Sequence, residues 1–328
     1  MNPIIPPKLK SGDEIRVIAP STSLAIIHEE QRQWANKQWQ AIGLPITISP
    51  HADEKDRFNS TSIEHRLSDL HDAFRDPQVK GILTAIGGYN ANQLLDEIDY
   101  DLITANPKVL CGFSDITALS NAIFTKTGLV TYSGPHYSTL SMKYGAAYTI
   151  DYFQKCVMAS EPFTVPQATN WSDDAWYRDQ ERREFLPNPG YLVINEGEVN
   201  GRLLGGNLCT FNLLQGTKFM PDLADSILLI EDDFESQAAT FDRDLQSLIH
   251  QPGFDQVQGI IIGRFQKTSG IDDDTLIEII RTKAALKNIP IIANASFGHT
   301  TPQFTFPVGG QGTLIAQKDN TIFTITEH

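Results

Sequence analysis

Cysteine is scarce in this 328-residue chain: Cys111, Cys156 and Cys209 are odd in number and widely separated. They show neither a disulfide framework nor metal-ligand spacing, and a reducing cytoplasm is the expected compartment. Long apolar runs are absent as well. Nowhere do about eighteen apolar residues follow one another, so no membrane-spanning helix is expected. The proline-bearing start from Met1 to Lys10 lacks the apolar core of a signal peptide. Positive charge is in deficit, with 26 Lys and Arg against 40 Asp and Glu and a formal net charge of -14. Such a molecule repels a nucleic-acid backbone, so a DNA or RNA polymer is not an expected partner. The glycine fingerprint G-x-G-x-x-G is missing, which argues against a Rossmann oxidoreductase. No cofactor and no metal are expected.

What is present, 41% hydrophobic and 20% charged residues, is the composition of an ordinary globular protein, and the length suits two domains. The first half alternates apolar runs with amphipathic stretches. Strands are expected at 15–19, 45–48, 81–86, 108–111 and 129–132. Helices are expected at 27–42, from Thr61 to about Phe74 (Thr61 and Glu64 having capping-box spacing), at 91–98 and at about 116–125. This alternation implies a parallel, doubly wound sheet with its chemistry at the carboxyl ends of the strands. Periodicity breaks down over residues 159–189, a linker or a loop over the site, or else a packed connection anchored by Trp171 and Trp176. Beyond it, strands are expected at 201–204, 226–230, 257–265, 290–293, 313–316 and 321–325, with helices at 238–249 and 274–286. The expected fold is α/β: a Rossmann-like domain over 1–158, the connection over 159–189, and a smaller β-rich, barrel-like α/β domain over 190–328.

The segment Val109-Leu110-Cys111-Gly112-Phe113-Ser114-Asp115-Ile116 carries most information. A strand ends at Gly112 and a helix starts within two or three residues, so Ser114 sits on a sharp strand-to-helix turn, as at a nucleophile elbow. The N–H of Asp115 is the first candidate to hold an oxyanion, and that of Gly88, in Gly87-Gly88-Tyr89-Asn90 at the end of the preceding strand, is the second. Taken alone, helix capping is the commoner reason for a serine in such a turn. The residues after Ser114 also depart from G-x-S-x-G. Cys111 lies within the strand, which disfavours a cysteine nucleophile.

A serine needs a base and an orienting acid. Among the eight histidines, His299 in Phe297-Gly298-His299-Thr300-Thr301-Pro302 follows an apolar strand and sits in a Gly- and Pro-bounded turn; His136 is the reserve. The strand Leu228-Leu229-Ile230 runs into Glu231-Asp232-Asp233, and alternation points Glu231 and Asp232 to opposite sides without choosing between them. The same architecture without the chemistry would serve a two-domain small-molecule binding protein.

With these residues assembled, the chain resembles the LD-carboxypeptidase family of serine peptidases, which also contains the microcin C self-immunity proteins. Gly112-Phe113-Ser114-Asp115, Leu229-Ile230-Glu231-Asp232 and Phe297-Gly298-His299 look like its three active-site signatures, and the likeness runs from Gly12-Asp13 through Gly205-Gly206-Asn207-Leu208 to the last strands. The resemblance implies Ser114 as nucleophile, Glu231 as orienting acid, His299 as base, and an oxyanion hole at Gly88 and Asp115. It implies a homodimer, no metal, and one of two substrate classes. Cell-wall recycling members release the terminal D-alanine of muropeptides. The immunity branch cuts the amide joining a peptide or amino acid to a nucleotide-like group. The tryptophan-bearing connection is similar to the immunity branch, with Trp176 as the expected base-stacking residue and Trp171 second. Gly87, Tyr89 and Asn207 complete the expected substrate contacts.

Overall fold

The computed structural model describes residues 3–328. The first half forms β1 (Glu14–Ile18), β2 (Ile46–Ile48), β3 (Val79–Thr84), β4 (Val109–Gly112) and β5 (Thr131–Ser133), all parallel in the order β5-β4-β3-β1-β2. Their helices are α1 (Glu29–Ile42), α2 (Ile63–Arg75), α3 (Tyr100–Ala105), α4 (Ile116–Thr127) and α5 (Ala147–Val157). β4 is buried along its whole length, as a parallel strand covered on both faces must be.

Three local expectations change. Ser62, not Thr61, caps α2, its hydroxyl accepting the His65 N–H at 3.1 Å, while Thr61 donates to Glu54 at 2.7 Å. The expected helix at 91–98 is a single 3-10 turn, Ala91–Leu94, and the helix proper begins after the Asp99 cap. α5, whose buried face includes Tyr152, Phe153 and Cys156, was not anticipated.

The chain continues through β6 (Phe163–Thr164), the short pair β7 (Asn170–Trp171) and β8 (Leu186–Pro187), and β9 (Leu192–Asn195). A long β10 (Gly197–Asn207) leads into α6 (Leu208–Asn212), β11 (Ser226–Glu231), α7 (Ala238–Ile249), β12 (Gly259–Gly263), α8 (Asp273–Arg281) and β13 (Ile291–Ala295). Next come β14 (Phe306–Val308), β15 (Gln311–Ala316) and β16 (Ile322–Glu327). The second sheet has the order β6-β16-β15-β10-β11-β12-β13-β9, parallel from β10 to β13 and antiparallel outside.

This sheet is open, with β6 and β9 at its edges, so the barrel-like expectation is corrected. With four central parallel strands flanked by helices, the second half is α/β in its own right. Nor do the halves stay separate, because β14 returns to pair antiparallel with β5 in the first sheet.

α4 lies between the sheets and explains its own sequence. Every residue from Ile116 to Phe124 is buried, so apolar and small polar residues occur on all its faces rather than in one apolar stripe. Its polar residues serve the second sheet: Asn121 donates to the Gly205 carbonyl at 2.9 Å, and Thr117 accepts the Asn207 N–H at 3.0 Å. Gly206, at φ +133°, is required there, since a Cβ would sit 2.4 Å from the Thr117 hydroxyl. α4 therefore ties the end of β4, which it follows, to the end of β10 in the second sheet. Among the described residues no helix is long and apolar enough to cross a membrane.

Candidate active site

Ser114 follows β4 with φ +60°, a left-handed backbone uncommon for a residue with a side chain and costly enough that the surroundings must hold it. They do. Gly112 lets the strand end press against its neighbours, where a Cβ would lie 2.2 Å from the Thr84 hydroxyl and 3.2 Å from His136 Nδ1. The N–H groups of Ile116 and Thr117 donate to the carbonyls of Phe113 and Ser114 at 3.2 and 2.9 Å. Asp115 stands at the helix N-cap, but its buried carboxylate faces the opposite way, accepting the Ser21 hydroxyl at 2.5 Å and the Ala91 N–H at 2.9 Å. Ser114 itself makes no capping bond.

His299 reaches this turn from the loop after β13. Its Nε2 is 3.0 Å from Ser114 Oγ, and its Nδ1 is 2.7 Å from Glu231 Oε2 at the end of β11. Glu231 is 2% exposed and enclosed by glycines. A Cβ on Gly298, which has φ +92°, would lie 2.4 Å from Glu231 Oε2, and one on Gly263 would lie 2.6 Å from Glu231 Cβ. Burial by itself would lower the His299 pKa, but the charge and hydrogen bond of Glu231, with Asp233 and Asp232 behind, raise it above the ordinary imidazole value. The neighbouring Asp232 points elsewhere, accepting from Asn207 Nδ2 at 3.2 Å. Burial, reinforced by the Glu231 charge, pushes its carboxyl up to about 7. A hydroxyl, an imidazole and a carboxylate thus lie in one hydrogen-bonded row, the arrangement in which Nε2 can withdraw the serine proton while Glu231 steadies Nδ1–H.

The backbone N–H groups of Gly88 and Asp115 donate to no acceptor among the described residues. Gly87 packs directly on the serine, where a Cβ would be 2.9 Å from Ser114 Oγ and 3.6 Å from the Asp115 nitrogen. Two uncommitted donors beside a serine hydroxyl can hold a developing oxyanion.

Ser114 opens into a cavity of about 360 Å³, lined also by Gly87, Gly88, His299 and Trp176. The roof is a strap, residues 170–187, closed on itself by β7 and β8. Ser172 and Thr301 exchange two backbone hydrogen bonds of 2.8 Å, which fasten the strap to the His299 loop. Buried Arg183 holds Asp174 at 2.8 Å, and Gln180 donates to the Ser141 carbonyl at 2.8 Å. The connection is therefore an ordered cover rather than a bare linker.

Three expected contacts fall outside this cavity. Trp171 stacks under Arg264, 4.7 Å from the ring centroid, and faces a separate hollow. Tyr89 is 76% exposed and bonds Glu235 across the mouth at 2.8 Å. Asn207 is consumed by structure, capping α6 through Thr210 and holding Asp232. His136, the reserve base, is buried with its Nδ1 2.6 Å from the Thr84 hydroxyl, and burial pushes its pKa down to about 3. Sequence reasoning missed Ser138, Thr300 and Gln303, which also line the cavity. The only signal for Thr300 and Gln303 was their nearness to His299. Among the described residues the grouping suited to a metal ion, His51, Glu54 and His65, lies outside the cavity, with both imidazoles paired to Glu54 at 2.8 and 2.6 Å.

Comparison with known proteins gives the chain its family. The family model described as the LD-carboxypeptidase N-terminal domain matches residues 15–134, and that for the LD-carboxypeptidase C-terminal domain matches residues 200–314. YocD of Bacillus subtilis is 53% identical over 98% of this chain and 99% of its own. The chain belongs to the LD-carboxypeptidase family, the S66 peptidases.

Within that family its likeness is to the MccF-like branch. A crystal structure of an MccF-like protein from Bacillus anthracis has a TM-score of 0.98 and 55% identity, covering 99% of this chain and all (100%) of that one. MccF, the microcin C7 self-immunity protein of Escherichia coli, is 28% identical over 99% of this chain and 96% of its own. Solved complexes of MccF with glutamyl sulfamoyl guanosine and aspartyl sulfamoyl adenosine each match with a TM-score of 0.90, covering 99% of both chains.

Proposed function

We propose that this protein is a serine-type amidase that hydrolyses the amide between a peptidyl or aminoacyl group and a nucleotide-like group. The observation that carries the reading is the row Ser114–His299–Glu231, with spacings of 3.0 and 2.7 Å, beside two free backbone N–H groups. Ser114 Oγ attacks the scissile carbonyl as His299 Nε2 takes its proton. The N–H groups of Gly88 and Asp115 hold the oxyanion, a contribution of about 3 kcal/mol for each such donor. Collapse of the intermediate breaks the amide bond, and His299 returns the proton to the leaving nitrogen. A water molecule, deprotonated by the same imidazole, then releases the acyl group. Glu231 keeps Nδ1 protonated and stabilises the imidazolium.

The nucleotide-like leaving group is supported by Trp176, a half-buried ring on the cavity wall that offers a stacking face to a base. The ligands named in the MccF complexes support it too. In this reading residues 1–158 supply the nucleophile, 159–189 cover it, and 190–328 supply acid and base, in a cytoplasmic homodimer that needs no metal or cofactor.

The test incubates the protein separately with an aminoacyl sulfamoyl adenosine and an LD-linked tetrapeptide, with mass spectrometry of the products. Cleavage of the first, abolished in Ser114→Ala, is expected. Release of D-alanine from the tetrapeptide alone would replace the reading with muropeptide carboxypeptidase, and cleavage of neither would leave a binding protein.

A further inference from the structure

The cavity lining contains polar side chains to which the fold gives no partner among the described residues. Gln303 is 5% exposed, and its backbone N–H is held by Thr149 at 3.0 Å, yet its carboxamide bonds to nothing among the described residues. The hydroxyls of Ser138 and Thr300, both buried, are likewise unpaired among the described residues. Beside them His136 is stacked on Phe113 with ring centroids 4.4 Å apart, and its Nε2 has no partner. All four line the same cavity as Ser114. His136 Nε2 is buried without a partner, and beside it Gln303, Ser138 and Thr300 line the cavity with polar groups free to meet a ligand, an arrangement that suits a hydrogen-bonding group.

The lining also defines what that ligand is not. It includes no lysine and no arginine. Its carboxylates belong to the strap and are already engaged, Asp174 by Arg183 and Asp173 by the Lys267 N–H at 2.7 Å. His136 stays uncharged at any physiological pH, because burial holds its pKa near 3. An ionised carboxylate brought to this wall would lose water and find no lysine or arginine, whereas an uncharged amide would find donors and acceptors. Trp176 and the exposed Tyr177 stand on the strap, which leaves the buried wall to the acyl half of a substrate.

We infer that Gln303, Ser138, Thr300 and His136 form an acyl subsite for an uncharged hydrogen-bonding side chain, a carboxamide above all, and that it discriminates against acyl carboxylates. The inference rests on the proposed hydrolysis and names its substrate class. Gln303 carries the selection, since its amide can both donate to the substrate carbonyl and accept from the substrate nitrogen. A site with unmet hydrogen-bonding groups also rejects the purely apolar analogue.

The test measures kcat/KM for glutaminyl, asparaginyl, glutamyl, aspartyl and alanyl sulfamoyl adenosines. The expected result is a glutaminyl or asparaginyl value at least about tenfold above its acidic counterpart. Gln303→Leu should lower the carboxamide-over-alanyl ratio about tenfold, and Gln303→Lys should shift the preference towards glutamyl and aspartyl. Ser138→Ala, a smaller change, guards against a folding defect and should lower the same ratio less. Equal or better cleavage of the acidic conjugates by the wild type, or a ratio unmoved by Gln303→Leu, overturns the subsite while leaving the hydrolase reading intact. Cleavage of no conjugate at all overturns both.

Discussion

The floor and the roof of the cavity are built on opposite principles. At the floor, position is enforced by backbone contact. Gly87 touches Ser114, Gly298 and Gly263 touch Glu231, and Gly112 touches Thr84, with no room for a Cβ at any of them. At the roof, the strap is tied by a few polar bonds, Arg183 to Asp174 and Ser172 to Thr301, and presents half-buried or exposed aromatic rings. The floor thus has one arrangement open to it, as close-packed interiors do. The roof can change its side chains without disturbing the row beneath. Under the proposed function, chemistry falls to the first region and selection of the leaving group to the second.

This contrast orders the expected effects. Ser114→Ala should lower kcat by on the order of 10^4-fold or more while the thermal transition stays within a few degrees of wild type. Undiminished cleavage would break the assignment. Gly298→Ala comes next. Its Cβ would fall 2.4 Å from Glu231 Oε2, so the carboxylate must move away from His299. A displacement of that size should cost about 10^2-fold in kcat, far more than a glycine-to-alanine change on the strap.

The pH profile sharpens the same point. In the proposed mechanism the His299 imidazole acts in its neutral form, and its pKa is raised chiefly by Glu231 against the lowering effect of burial. Activity therefore falls as pH drops through that raised value. Glu231→Gln removes the charge, so the acid limb of kcat/KM should move to lower pH even as the plateau falls. An unshifted limb would mean that His299 is not the titrating base.

At the roof, Trp176→Ala should weaken kcat/KM for an aminoacyl sulfamoyl adenosine about tenfold, and the loss should shrink for an analogue without a base. Trp171→Ala should have a smaller effect on the same ratio, because that ring pairs with Arg264 outside the cavity. Equal losses from the two would erase the distinction drawn between them.

The floor was far more legible in the sequence than the roof. The strand, glycine and helix start around Ser114 are neighbours along the chain, so their geometry is local. The three signatures name Ser114, Glu231 and His299, and the fold brings those three side chains into one row. What alternation left open, Glu231 or Asp232, depends on Gly263 and Gly298 leaving space from two other segments. Nothing near residue 231 records that. That Tyr89, Trp171 and Asn207 lie outside the cavity lining was hidden for the same reason. Their partners Glu235, Arg264 and Asp232 come from distant elements, and two of the three side chains are claimed by structure. The return of β14 to the first sheet is equally non-local, since its three residues pair with a strand about 170 positions earlier.

The most direct test of the central claim is labelling by a serine-directed phosphonate, read by intact-protein mass spectrometry and peptide mapping. One adduct per chain on Ser114, slowed in Glu231→Gln and absent in Ser114→Ala, is the predicted result. No adduct, or an adduct on another residue that persists in Ser114→Ala, would contradict it.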